Sequence, residues 1–165
     1  MTKTAEFMST INLSSSSRWQ YSLKTLPRPK GNATRVIITE YDLPRPETLP
    51  HDAAADSTGM IWYSDFARGY LGRLDPATGQ VKEWPSPSGP KSQPYGIVFT
   101  KGAVWYSESA AKPNTIVRFD PSTEKFQTWA IPEGGDIVRN MDVTRDGDPV
   151  LANSLTNEVG LVEIK

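Results

Sequence analysis

From Arg35 onward the chain is written in short runs where apolar and polar residues alternate, the two-residue period of a half-buried β-strand. Asp52–Asp56, Gly96–Thr100 and Met141–Thr144 form one set of such runs. Met60–Ser64, Ala103–Ser107 and Pro149–Ala152 form a second, and Tyr70–Leu74, Thr115–Phe119 and Val159–Glu163 a third. Val81–Trp84 and Phe126–Ala130 follow the first two members of that third set. Between the runs lie turn signals. Ser57-Thr58-Gly59, Lys101-Gly102 and Arg145-Asp146-Gly147 lead into the second set, and Asp75-Pro76-Ala77-Thr78-Gly79 and Asp120-Pro121-Ser122-Thr123-Glu124 leave the third. Proline presets φ in these turns and aspartate accepts from the backbone.

The runs recur as a unit. Gly59-Met60-Ile61-Trp62-Tyr63-Ser64-Asp65 returns as Gly102-Ala103-Val104-Trp105-Tyr106-Ser107-Glu108, 43 residues on. Arg73-Leu74-Asp75-Pro76 returns as Arg118-Phe119-Asp120-Pro121, 45 residues on. A weaker third copy carries Gly147 through Asn153 and then Val159 through Val162. Four strands in a period of about 40–45 residues predict a β-propeller blade. The expected fold is all-β, with three blades at about 50–87, 94–132 and 138–165. The third blade lacks a fourth strand, while Val36–Leu43 reads as a fourth strand with no blade before it: Glu40-Tyr41-Asp42-Leu43-Pro44 matches Glu83-Trp84-Pro85-Ser86-Pro87. Residues 36–43 are therefore expected to complete the last blade, covering its open edge. Three blades do not close a ring, so the chain is expected either to form an open arc or to join a second chain in one six-bladed ring; self-association is favoured because an arc exposes two apolar blade faces. Trp62, Trp84, Trp105 and Trp129 hold repeat-equivalent positions and are assigned to packing between blades. Residues 1–34 read as a polar N-terminal arm and linker.

Composition narrows the partners. Eighteen Lys and Arg balance nineteen Asp and Glu, which offers nothing to nucleic acid or an anionic membrane. No apolar run approaches the roughly 20 residues of a spanning helix, and no signal peptide is visible, so a soluble protein is expected. The chain has no cysteine and one histidine, His51, which leaves no thiol chemistry and no His-His metal motif.

The repeat resembles that of the streptogramin B lyase (virginiamycin B lyase) family. The resemblance rests on Pro50-His51, on the Trp-Tyr-Ser-Asp/Glu runs ending at Asp65 and Glu108, on Gly72-Arg73-Leu74-Asp75-Pro76 with Thr78-Gly79, and on Glu83-Trp84 with Pro87. It spans about Arg35 to Lys165. It implies a magnesium-dependent lyase that opens a cyclic depsipeptide ester by elimination. Such chemistry needs a base for a carbon-bound proton and a cation near the developing negative charge. By resemblance His51 is the base, and Asp65 and Glu108 are the ligands of Mg²⁺. Tyr95, Arg139 and Asn140 fall at the entries of the first strands of the later blades and are expected to contact a small-molecule ligand at the channel mouth. The second blade reads Gln93-Pro94-Tyr95 where the family pattern has Glu-Pro-His. Two readings therefore stand side by side: a lyase-like enzyme, and a non-catalytic propeller that binds a ligand or protein without the complete lyase site. Asp65 and Glu108 likewise have two readings, as metal ligands or as acceptors for backbone N–H groups at a blade turn.

Overall fold

The computed structural model describes residues 36, 38–135 and 137–165. Glu40–Lys165 is one compact unit; of the other, Met1–Thr39, only residues 36, 38 and 39 are described, so the arm expected at 1–34 lies outside the described residues. Eleven strands and one 3-10 turn (Pro132–Gly134) make up the regular structure among the described residues. They form three antiparallel sheets. The first holds β1 (Pro50–Ala55), β2 (Ile61–Asp65), β3 (Tyr70–Leu74) and β4 (Val81–Pro85). The second holds β5 (Pro94–Thr100), β6 (Ala103–Glu108), β7 (Thr115–Asp120) and β8 (Lys125–Ala130). The third holds β9 (Val138–Val143), β10 (Pro149–Asn153) and β11 (Glu158–Leu161). Within each sheet the strands pair in chain order, and β1 lies against β5 and β5 against β9, so the first strands line a shared interior. This is a propeller-like, all-β fold. Among the described residues no helix is long and apolar enough to cross a membrane.

Turn chemistry sets the strand ends. Asp56 accepts the N–H groups of Thr58 (2.8 Å) and Met60 (3.1 Å) and the indole N–H of Trp62 (2.8 Å), tying the β1–β2 turn to the core beneath it. Asp75 closes the β3–β4 turn through the Ala77 N–H and the Thr78 hydroxyl, both at 2.8 Å, with Gly79 at φ 72°. The matching β7–β8 turn places Glu124 at φ 55°, a left-handed conformation that costs a non-glycine residue of order 1 kcal/mol. Its carboxylate reaches back to the first sheet, accepting from Lys82 (2.5 Å) and the Trp84 indole (3.2 Å).

The sheets join through aromatic layers, as assigned from the repeats. Trp62 stacks on Trp84 at 5.6 Å, both meet Phe119, and Phe119 meets Phe126 at 4.7 Å. Trp105 and Trp129 form the corresponding stack on the second sheet, 5.6 Å apart; Trp105 packs with Ile116, Val138 and Leu151, whereas Trp129, assigned to the same packing, is 46% exposed. Polar ties run alongside. The Ser64 hydroxyl donates to the Tyr95 carbonyl (2.6 Å) and that of Ser107 to the Val138 carbonyl (3.2 Å). At the opposite end Thr100 donates to the Gly147 carbonyl and Lys101 pairs with Asp148 at 2.7 Å.

One expectation is corrected. Residues 36 and 38–43 carry no strand and pair with no sheet, and the third sheet has three strands among the described residues. Among the described residues, 40–43 do not complete the last sheet: they lead straight into Arg45–Leu49, which Asp65 holds against the first sheet. Tyr41 accordingly donates to the Pro76 carbonyl, also in the first sheet (2.9 Å).

The sheets are not interchangeable. Tyr63 lies over Gly72, where an added Cβ would fall 2.0 Å from the ring, and its hydroxyl donates to Glu83 (2.8 Å). In the second sheet the paired residue is Val117, and the Tyr106 ring turns instead to Ser86 (2.7 Å). Gly72→Ala is expected to destabilise the chain by about 1–3 kcal/mol through overpacking, read as a lower urea midpoint at unchanged m.

Candidate functional site

Each first strand carries the same irregularity. Pairing slips between Pro50 and Ala53 in β1, between Pro94 and Ile97 in β5, and opposite Ala152–Asn153 in β9. Such bulges re-aim side chains. Here they align Pro50, Pro94 and Val138, which face Asp65, Glu108 and Asn153 across the pairs. The equivalent bulged residues are thus His51, Tyr95 and Arg139. Asn140, expected at the entry position, is displaced by one and corresponds to Asp52 and Gly96. It is exposed and pairs with Ala152.

The bulges bring three of the expected residues together. His51 and Tyr95 pack with ring centroids 3.5 Å apart and planes tilted 40°. Phe66, not anticipated from the repeats, completes the cluster 5.9 Å from His51 and edge-on to Tyr95 at 5.4 Å. Its only signal was its place next to Asp65, where the second copy has Ser109. Desolvation within this cluster lowers the His51 pKa, the Arg139 charge lowers it further, and Asp52 opposes both. The imidazole is therefore neutral at pH 7. Asp52 is itself committed to the join between sheets, accepting from the Ile97 N–H at 3.2 Å. The cluster offers a ligand two aromatic faces, an imidazole and a guanidinium, with Arg139 and His51 exposed.

Asp65 and Glu108 stand elsewhere in the chemistry. Both are fully buried. Asp65 Oδ1 accepts from the N–H groups of Leu49, Ala67 and Arg68, and Oδ2 takes Arg45 at 2.6 Å. Glu108 Oε1 takes the Ser86 hydroxyl (2.6 Å) and the Ser88 N–H (2.9 Å), and Oε2 the hydroxyls of Ser88 (2.5 Å) and Thr115 (2.6 Å). A divalent cation needs oxygens that face an open coordination sphere with room for water. These oxygens are all turned to protein donors, and among the described residues no three His, Cys, Asp or Glu gather where a metal would sit. The pair does not fit Mg²⁺. Its geometry is that of the other reading: each carboxylate at the end of a second strand pins the chain entering the sheet. Arg45, missed in the sequence, links Asp65 to Glu83 (2.9 Å) and lies over the Tyr70 ring at 4.2 Å. Asn153, third in the series, is buried with Oδ1 unpartnered.

Comparison with known proteins finds this fold. Structures of virginiamycin B lyase from Staphylococcus aureus are similar. A catalytically inactive variant with quinupristin is 21% identical over 77% of this chain and 45% of that one, with a TM-score of 0.64. The selenomethionine form is 22% identical over 78% and 45%, with a TM-score of 0.63. A streptogramin B lyase structure is 23% identical over 76% and 44%, with a TM-score of 0.62. The likeness is one of fold, and the chain spans less than half the length of these proteins. No family model and no curated protein matches the sequence.

Two outcomes follow. The single histidine gives one imidazole resonance, expected to titrate below pH 6.5 and to move up toward that value in Tyr95→Ala, followed by NMR. Because the folded state prefers the neutral ring, acidification through pH 6.5 takes stability away until the folded pKa is passed. Glu108→Ala strands three hydroxyls and an amide and is expected to cost at least about 3 kcal/mol. The melting temperature of the unmodified chain should be the same in Mg²⁺ and in chelator.

Proposed function

We propose that the chain binds a small molecule at the mouth lined by His51, Phe66, Tyr95 and Arg139, without turning it over. The observation that carries this reading is the bulge repeated in β1, β5 and β9, which turns one residue from each successive sheet toward the same end of the shared interior. The aromatic faces suit a flat or ring-bearing ligand, and Arg139 suits a carbonyl or anionic oxygen on it. This chemistry names a ligand class and leaves the individual compound open to experiment.

Streptogramin-lyase-type elimination is the second reading. It is favoured by a neutral His51, which can accept a proton at pH 7, and by the likeness of fold. Against it, Gln93 stands where the family pattern has a carboxylate, and Asp65 and Glu108 are spent on the incoming chain.

A streptogramin B antibiotic separates the two. Calorimetry is expected to show binding that is indifferent to Mg²⁺, with no linearised product by mass spectrometry. Tyr95→Ala and Arg139→Ala should each weaken binding by roughly five- to tenfold, the scale of one aromatic or cationic contact. Linear product that disappears in His51→Ala would establish the lyase reading instead. Absence of any binding heat would remove the streptogramin as a ligand.

A further inference from the structure

The third sheet has an unpaired edge, and the segment leading into the first sheet has the pattern of an outer strand. Between the second and third sheets a groove of about 860 Å³ opens, floored by Trp105, Ile116, Trp129, Leu151, Val162 and Ile164. The matching space between the first and second sheets is filled by Phe119 and by Phe126 from β8. The difference shows in the paired tryptophans: Trp84 is 8% exposed and Trp129 46%. Trp105 Nε1, at the floor of the groove, is buried without a hydrogen-bond partner. Beside the groove β11 is an edge with no outer neighbour among the described residues, and on it Val159 and Leu161 are 79% and 57% exposed. Among the described residues the third sheet has no counterpart of the strand that β4 and β8 supply to the other two.

That strand's pattern exists in Ile38–Leu43. Aligned on the motif, Ile38 answers Val81 and Phe126, and Tyr41 answers Trp84 and Trp129. The contact made by Tyr41 answers that of Trp84 as well. Trp84, on the outer strand of the first sheet, donates to Glu124 in the β7–β8 turn of the sheet that follows. Tyr41 donates to the Pro76 carbonyl in the β3–β4 turn of the sheet that follows it. Four residues further on, Arg45 is held by Asp65 as Ser88 is held by Glu108. Tyr41 through Leu49 therefore takes the path against the first sheet that Trp84 through Ser92 takes against the second. It stands where the outer strand of a preceding blade would, with no other strand of that blade among the described residues, and Ile38 beside it is 84% exposed.

We propose that Ile38–Leu43 of one copy adds to β11 of a second copy as its fourth strand, so that two chains complete each other's third blade and close a six-bladed ring. The pairings in the complete sheets set the register. Trp84 faces Leu71 and Trp129 faces Ile116, which puts Tyr41 opposite Val159; Lys82 faces Arg73 and Gln127 faces Arg118, which puts Thr39 opposite Leu161. Alternation then directs Ile38 into the groove, in the role of Phe126, and leaves Tyr41 on the face it already presents to its own first sheet. The contact is head-to-tail, and the three described sheets of each copy would together make the six blades of a closed ring. It uses none of the mouth residues, so it stands or falls apart from the ligand reading.

Light scattering on the 165-residue chain tests this first, with twice the 18.3 kDa chain mass expected. Ile38→Asp places a charge in an apolar groove and should weaken the dimer by at least about tenfold. Circular dichroism should keep the signal of the eleven strands described, since Ile38 lies outside the packed core. The chain has no cysteine, so register is read by mixing two single variants, Thr39→Cys and Leu161→Cys. Oxidation should yield a covalent heterodimer, and Thr39→Cys with Val159→Cys, out of register, should yield much less. A monomer at about 100 μM, growth into larger oligomers, or a dimer indifferent to Ile38→Asp that fails to cross-link in register would each overturn the proposal.

Discussion

A buried carboxylate costs several kcal/mol unless donors surround it, and this fold places one at the end of its second strand in two successive sheets. Asp65 and Glu108 meet that demand with N–H groups, hydroxyls and one guanidinium from the chain about to enter the sheet. The satisfaction of the charge and the path of the entering segment are thus one constraint. Pro50 and Pro94, where β1 and β5 begin, sit opposite those carboxylates in the pairing, so the bulge just beyond has its position set. The aim of His51 and Tyr95 follows from it. The mouth is shaped by groups that a ligand never touches.

Much of this was legible before any coordinates. Alternation and the Asp-Pro turns placed all eleven strands to within a few residues, because a half-buried strand and a tight turn each leave a local signature. The position of Arg139 was read as one residue short of the equivalence it holds, with Asn140 in its place. A bulge adds a residue to one strand without changing the apolar pattern, so only the pairing of Val138 with Asn153 reveals it. The spacing of Asp65 and Glu108 suits a cation and a backbone anchor equally well. What decides between them is the count of donors at each oxygen, and those donors include Arg45 and Ser88, which lie outside the repeated motifs. Residues 36–43 show the converse: the strand pattern is plain, but pairing is a property of two segments, and its partner edge is not fixed by the pattern.

The repeats also show how copies diverge. The second strand keeps a Trp-Tyr-Ser run in two sheets, yet the tyrosine lies over a glycine in one and turns to a serine in the other. The first strands keep their bulge while its residue changes from imidazole to phenol to guanidinium. Structural positions are conserved by packing, and the position that packing leaves free is where the three sheets differ in chemistry.

Glu124 carries a consequence for the order of the units. In the first sheet a glycine takes the left-handed residue of the β3–β4 turn at little cost; in the second a glutamate takes it and is offset by Lys82 and Trp84 of the neighbour. Moved beside any other unit, the second sheet would keep its distortion and lose the compensation. The turn therefore fits the second sheet to the one before it: the Glu124 carboxylate finds its two partners, Lys82 and Trp84, only on that neighbour.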